Sequence, residues 1–252
     1  EQLFALLPRK MKNVADYLLP ADADPEQIQN VIDRETDLLR MMETQMQALP
    51  SNDSKEKTLL EEWKLSITPV NDEKELRQIK RHMGHSADCF SKAFRVKNSN
   101  RDNAFWNYYD KHNYHKEDIH YWYHGSRNMN CLSILHNGLI LNPKAPKVGH
   151  MFGYGIYLAP KAKKSIGYTS LNGSFWVHGT SDKAYLFVMK TVYKSPYHVY
   201  TWTSGMKSLT KSRISPHDAV FAHAGTSLRN DEVVIFDDAQ VTLQYIIELK
   251  QQ

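Results

Sequence analysis

Glycine is confined to one part of this chain. None of the 11 glycines precedes Gly84, and ten fall between Gly125 and Gly225. Glycine supplies tight turns and close backbone approach, and it weakens helices. The first third is therefore expected to be helical, and the remainder to be strands joined by glycine turns. Charge divides the same way. Residues 1–62 hold 7 Lys/Arg against 13 Asp/Glu, a net of −6 in a chain whose total is +4. The larger part is thus basic, which suits a phosphate-rich ligand or partner and equally a solvated surface.

The early helices can be placed. Met11, Val14, Ala15, Leu18 and Leu19 recur at helical spacing over Lys10–Leu19, before Pro20. A longer helix starts at Asp24, with Pro25 in its first turn and Gln27 completing a capping box. Its apolar stripe comprises Ile28, Val31, Ile32, Leu38, Leu39, Met42, Met46 and Leu49, ends at Pro50 and needs a cover. "SNDSKEK" (Ser51–Lys57) reads as a linker. "WKLSITPV" and "AFRVKN" then read as strands, "NDEKELRQIKRHM" and "SNRDNAFWNYYDKHN" as helices. "KAYLFVMKTVYKS", "DAVFAHA", "DEVVIFD" and "VTLQYIIELK" are rich in Val, Ile, Tyr and Phe, and read as strands. Helices between them are too few for repeated βαβ units. The expected class is α+β, mixed and mostly antiparallel, with a small N-terminal helical subdomain over 1–62 and a main domain over 63–252.

With 252 residues a full core is available without staples, and Cys89 and Cys131 are isolated rather than paired in a CxxC. Isolated thiols and the absence of a membrane-length apolar run point to an intracellular protein with no membrane partner, in nucleus or cytoplasm alike. The chain does not begin with Met, which suggests a piece of a longer protein.

Three phrases carry chemistry. "YWYHGSR" sets His124 at the end of an apolar strand, and Gly125 then lets a planar amide approach the backbone. "NMNCLSILHNGL" follows as a short helix with Leu132, Ile134 and Leu135 inward and Gly138 as its C-cap. "GHMFGYGIYLAPKAKKSIGY" has a glycine loop that lacks both the dinucleotide-binding GxGxxG spacing and the Lys-Ser/Thr of a P-loop. It presents Ser165 and Tyr168 three residues apart, a hydroxyl and a ring that suit a flat heteroaromatic amide. "NDEVVIFD" puts Glu232 at the head of an apolar strand, either as a solvated end or as a carboxylate facing positive charge at a sugar carbon. Taken singly, each phrase also reads as ordinary packing.

Taken together and in this order, "HGSR", "MFGYGIYLAPKAKKSIGY" and "NDEVVIFDDAQVTLQYII" resemble the catalytic domain of the poly(ADP-ribose) polymerases, the DNA-damage-responsive members above all. The resemblance runs from about Trp63 to Lys250. It implies a two-sheet ADP-ribosyltransferase fold and a His-Tyr-Glu triad of His124, Tyr157 and Glu232. It implies NAD+ as substrate, with no metal. His124 would hold the adenosine ribose, and Ser126 would lie near the adenosine. Gly125 and Ser165 would bind the nicotinamide carboxamide. Tyr168 would stack on the nicotinamide ring, with Tyr157 on its other side. Glu232 would stabilise the oxocarbenium-like transition state, and Met151 with Glu232 would line the acceptor side. The implied activity is nicotinamide release with ADP-ribose transfer to a protein, itself included, or to nucleic acid, extended to a polymer. Transfer of single units and an inactive NAD or ADP-ribose binding module are the alternatives. Nucleic acid as a partner would come through further N-terminal modules.

Three features depart from the family pattern: Ile140 in place of an arginine, Tyr154 in place of a lysine, and a helical region shorter than the family's regulatory domain. His112, His115, His120 and His124 crowd one stretch, but their spacing matches no zinc finger. The basic "PKAKK" is expected at the cleft mouth.

Overall fold

The computed structural model describes residues 19–20, 22–47, 57–141 and 151–251. The helix expected over Lys10–Leu19, the stop at Pro50 and nearly all of the linker lie outside the described residues. The long helix α1 spans Pro25–Gln47. Its capping box is formed as the sequence indicates: Gln27 N donates to Asp24 Oδ1 at 2.7 Å, and Asp24 N donates to Gln27 Oε1 at 3.1 Å. Its stripe differs from expectation. Ile28, Ile32 and Leu39 are exposed, because only part of the helix packs on the rest of the described chain. One turn, α2 (Leu59–Glu62), follows and is capped by Thr58.

Among the described residues, nine strands make two sheets. The first has five strands, all antiparallel, in the order β1 (Leu65–Pro69), β2 (Phe90–Asn98), β9 (Val241–Lys250), β5 (Lys183–Val192), β3 (Ile119–Gly125). The second runs β4 (Ile156–Leu158), β8 (Glu232–Ile235), β7 (Ala219–Ala222), β6 (Pro196–Val199), with β6 and β7 parallel. The expected α+β, mostly antiparallel two-sheet class is the observed one. Helix α3 (Glu73–Met83) starts at an Asp72 cap and inserts Ile79 and Met83 into the cluster on one face of the first sheet, with Val188, Ile247 and Leu249. Helix α4 (Ser99–Lys111) buries Phe105 and Tyr108 beside Val192. Its Asn98 cap also donates to the Leu135 carbonyl at 2.9 Å.

The two sheets share a core. Phe187 and Met189 from the first meet Ile156, Leu158, Val233 and Ile235 from the second. Strand β5 reads as one apolar run because it is covered on both faces, a pattern periodicity alone cannot tell from a buried helix. Each large side chain fully buried there contributes about 1.5–3 kcal/mol. Helix α5 (Cys131–Asn137) sends Ile134 into this core and ends at Gly138, whose φ is +71°. Leu132, expected inward, is exposed, since a seven-residue helix on a surface buries only a narrow face.

The joint between the sheets positions the site. Tyr123 near the end of β3 and Ala159 just past β4 exchange both backbone hydrogen bonds, each 2.9 Å. This bridge brings the edge strands of the two sheets together.

Candidate active site

The chemistry-bearing residues of all three phrases collect around that bridge. His124 follows Tyr123. Its Nδ1 lies 3.0 Å from the Tyr157 carbonyl oxygen. A carbonyl only accepts, so Nδ1 carries the proton and Nε2 remains as an acceptor. Burial lowers the His124 pKa, opposed by the hydrogen bond to Tyr157, so the ring is neutral at pH 7.

Gly125 is held by its neighbour. A Cβ built on it would lie 1.7 Å from the Ser165 carbonyl oxygen and 2.6 Å from that carbonyl carbon. No other residue fits unless the backbone moves. The Ser165 hydroxyl, buried, donates to the Tyr123 carbonyl at 3.0 Å. Its lone pairs are what it can offer an incoming N–H. The same Ser165 carbonyl that crowds Gly125 accepts from Tyr168 N at 3.0 Å. One peptide group thus spaces the Gly125 backbone from that of Tyr168. Helix α6 (Ala162–Ile166) ends before Tyr168, so Tyr168 reaches the site from the turn after the helix rather than from its face.

Tyr157 does something the sequence did not suggest. Its hydroxyl donates to the Gly153 carbonyl at 2.8 Å and accepts from Phe152 N at 3.0 Å. It therefore pins the glycine loop, and its ring and backbone are what it can present to a ligand. Gly153 is required there. Its φ is +81°, and a Cβ would meet the Leu209 carbonyl oxygen at 2.0 Å. Tyr157→Phe leaves the buried Phe152 N–H without its partner, which costs about 1–3 kcal/mol, while the Gly153 carbonyl keeps the hydrogen bond from Gly155 N at 3.1 Å. A thermal melt is expected to show that loss, and an unchanged melting temperature would remove the pinning role.

Glu232 opens β8 opposite Ala222 and next to Val233, which pairs with Leu158. Its Oε1 lies 2.5 Å from Lys164 Nζ, and each side chain is about one-tenth exposed. Burial raises the hydroxyl pKa of Tyr157 and of Tyr168, the latter to about 12, and the Glu232 charge adds to both. The carboxylate is therefore electrostatically close to both rings. Burial lowers the Lys164 pKa, and Glu232 raises it back.

Ser126 accepts from Asn130 Nδ2 at 2.9 Å. Beyond it a cavity of about 350 Å³ is lined by Arg127, Asn128, Ser170 and Ser181 among others. Asn128 Oδ1 is buried with no hydrogen-bond partner among the described residues. Met151 packs beside Phe152, Tyr157 and Trp202, and its carbonyl accepts from Trp202 Nε1 at 2.7 Å.

Two residues escaped the sequence reading. Lys164 sits in the "PKAKK" expected at the cleft mouth, yet it turns inward while Lys161 and Lys163 stay exposed. Only its position beside Ser165 hints at this. Asp37 on α1 reaches Arg127 of "HGSR" at 4.0 Å. No spacing rule links positions so far apart. The histidine tract disperses: His112 Nδ1 engages the Tyr108 carbonyl at 2.8 Å, and His120 Nε2 the Tyr193 carbonyl at 3.2 Å. Among the described residues no three metal-capable side chains cluster, and no helix is long and apolar enough to cross a membrane.

The chain is similar to known proteins over part of its length. Residues 72–189 match the family model of the poly(ADP-ribose) polymerase catalytic domain. The chain is 31% identical over 147 residues to a poly [ADP-ribose] polymerase of Drosophila melanogaster, covering 51% of this chain and 15% of that protein. It is 47% identical over 57 residues to poly [ADP-ribose] polymerase 2 of Homo sapiens, covering 21% of this chain and 10% of that one. Poly [ADP-ribose] polymerase 2 of Arabidopsis thaliana is 26% identical over 219 residues, 73% of this chain and 33% of that protein. The chain thus covers a third or less of each of these relatives. The matched residues include His124, Gly125, Tyr157, Ser165 and Tyr168 but not Glu232.

Proposed function

We propose that this protein cleaves NAD+ at the nicotinamide–ribose bond and transfers ADP-ribose to a protein acceptor, itself included. The observation that supports this most is the ion-paired Glu232 carboxylate, set at the same joint as His124 and Gly125 and close to Tyr157 and Tyr168. Gly125 and Ser165 take the nicotinamide carboxamide, and Tyr168 stacks on its ring. His124 Nε2 accepts from an adenosine ribose hydroxyl, and Ser126 precedes Arg127, which lines the cavity that takes the adenosine. Bond cleavage builds positive charge on the sugar. A carboxylate fixed in advance stabilises that charge more than it stabilises the ground state. Lys164 holds the Glu232 carboxylate in place through their 2.5 Å contact, and Glu232 then orients the acceptor hydroxyl.

Extension into a polymer is the preferred outcome, because a glutamate stands at 232 and Met151 lies by the acceptor side. We further assign residues 1–62 as a reduced helical subdomain that leans on the main domain, 63–252, through Asp37 and Arg127. The resemblance to the DNA-damage-responsive members, carried by "HGSR", "MFGYGIYLAPKAKKSIGY" and "NDEVVIFDDAQVTLQYII" together, supports nucleic acid as a further partner. Intact-mass spectrometry after incubation with NAD+ tests the polymer. A ladder of ADP-ribose increments supports it, and a single increment assigns mono-transfer.

The neutral imidazole gives a pH dependence. Folded His124 titrates below its unfolded value of about 6.5, so the folded chain binds fewer protons on the acid side. Its contribution to stability is complete above that value and is lost as pH falls through the folded pKa. Protonation also removes the Nε2 acceptor. KM for NAD+ is expected to be flat from about pH 8 to 6.5 and to rise only as pH falls through the lowered folded pKa of His124, with kcat changing less. A KM that stays flat down to the pH at which the chain unfolds removes His124 from NAD+ binding.

A further inference from the structure

The loop between α6 and β5 carries a stack that the roles above do not use. Phe175 and Trp176 are both more than half or about half exposed, at 59% and 50%. Large aromatics left in solvent on a loop call for a reason. The Trp176 indole lies nearly parallel to the Tyr168 ring, 18° between planes and 5.8 Å between centroids. Phe175 meets Trp176 edge to face at 4.7 Å and 88°. The Arg229 guanidinium lies 5.9 Å from the Phe175 ring. Trp176 is also tied by its backbone, since its N–H donates to the Gly167 carbonyl at 2.9 Å. A Cβ at Gly167 would sit 3.0 Å from the indole. The loop itself is closed, with Gly179 N donating to Ser174 Oγ at 2.8 Å and Gly173 N to the Gly179 carbonyl at 3.2 Å.

We infer that Trp176 is a positioning residue for nicotinamide, which it serves by backing the Tyr168 ring. The inference rests on the proposed role of Tyr168. Tyr168 lies beyond the end of α6, so no helix fixes its side chain. An offset stack on one face of the ring sets its plane and leaves the opposite face for the substrate. Phe175 and Arg229 continue the stack to the segment that leads into Glu232. A strap of aromatic and cationic groups thus joins the stacking wall of the site to its carboxylate wall. An aromatic pair of this geometry predicts a change of about two- to tenfold when one ring is removed.

Calorimetry with nicotinamide, run on the full chain and on Trp176→Ala, Trp176→Phe and Tyr168→Ala, tests this, with thermal melts as a folding control. The expected result is binding by the unaltered protein, strong loss in Tyr168→Ala, and a two- to tenfold weakening in Trp176→Ala that Trp176→Phe restores. KM for NAD+ should rise by the same factor while kcat changes less. Weakening by Tyr168→Ala with none by Trp176→Ala overturns the positioning role and leaves ADP-ribosyl transfer standing. Weakening that Trp176→Phe does not restore, or that tracks a lowered melting temperature, also overturns it. Failure of the unaltered protein to bind nicotinamide, or binding indifferent to Tyr168→Ala, overturns both this inference and the proposed nicotinamide pocket.

Discussion

Glu232→Gln is expected to lower ADP-ribose transfer by about 10²- to 10³-fold, the usual cost of removing one preorganised group from a developing charge. The amide keeps the shape and hydrogen-bonding capacity of the carboxylate, so NAD+ affinity should change little. What it lacks is negative charge at the moment the sugar carbon becomes positive. The change also strands Lys164, which is about one-tenth exposed and pairs with Glu232 at 2.5 Å. Breaking a buried pair by removing one partner costs up to about 3–5 kcal/mol, and less where solvent still reaches it. Stability and catalysis must therefore be separated. The double variant Glu232→Gln with Lys164→Met should recover much of the lost stability and none of the lost rate. Single-turnover kinetics beside a denaturant melt reads both. Full recovery of rate in the double variant would show that Glu232 matters only as the partner of Lys164.

Gly125→Ala is the second large effect. The new methyl would sit 1.7 Å from the Ser165 carbonyl oxygen, a backbone atom that no rotamer change can move. Either β3 or α6 must shift. Overpacking of this kind costs about 1–3 kcal/mol or more. The same shift separates the Gly125 backbone from Ser165 and Tyr168, so nicotinamide affinity should fall well beyond the loss in stability. Alanine at Gly84, where a Cβ meets nothing within 4 Å but φ is +59°, is the control. It strains the chain without touching the site. Binding that survives Gly125→Ala would mean that the close approach to Ser165 plays no part in holding the amide.

Much of this was legible in local sequence, for local reasons. The Asp24–Gln27 capping box forms because both partners lie within one turn. Strands β5, β7, β8 and β9 appear where β-branched and aromatic residues run together. Gly138 caps α5 because its positive φ suits glycine. What stayed hidden depends on contacts between distant segments. Nothing in "KAKKS" says that Lys164, rather than Lys163, turns toward a carboxylate on a strand near the C-terminus. That choice is made by the way α6 lies against β3, where the Ser165 hydroxyl bonds the Tyr123 carbonyl. The hydroxyl of Tyr157 is likewise directed by the Gly153 turn and not by its place in "GIYLA". The exposed stripe of α1 shows the converse limit: periodicity gives a face but not its cover. Motif order indicated which residues belong together, and the Tyr123–Ala159 bridge supplies the physical means of assembling them.

This joint between two sheets is expected to cleave NAD+ and keep the ADP-ribose. The most direct measurement follows nicotinamide release and protein-bound label together, with NAD+ labelled in its adenosine half, for the unaltered chain and for Glu232→Gln. Release and label should rise in step in the first and both be nearly absent in the second. Tight NAD+ binding with neither release nor label in the unaltered chain, or equal turnover in the two proteins, would contradict it.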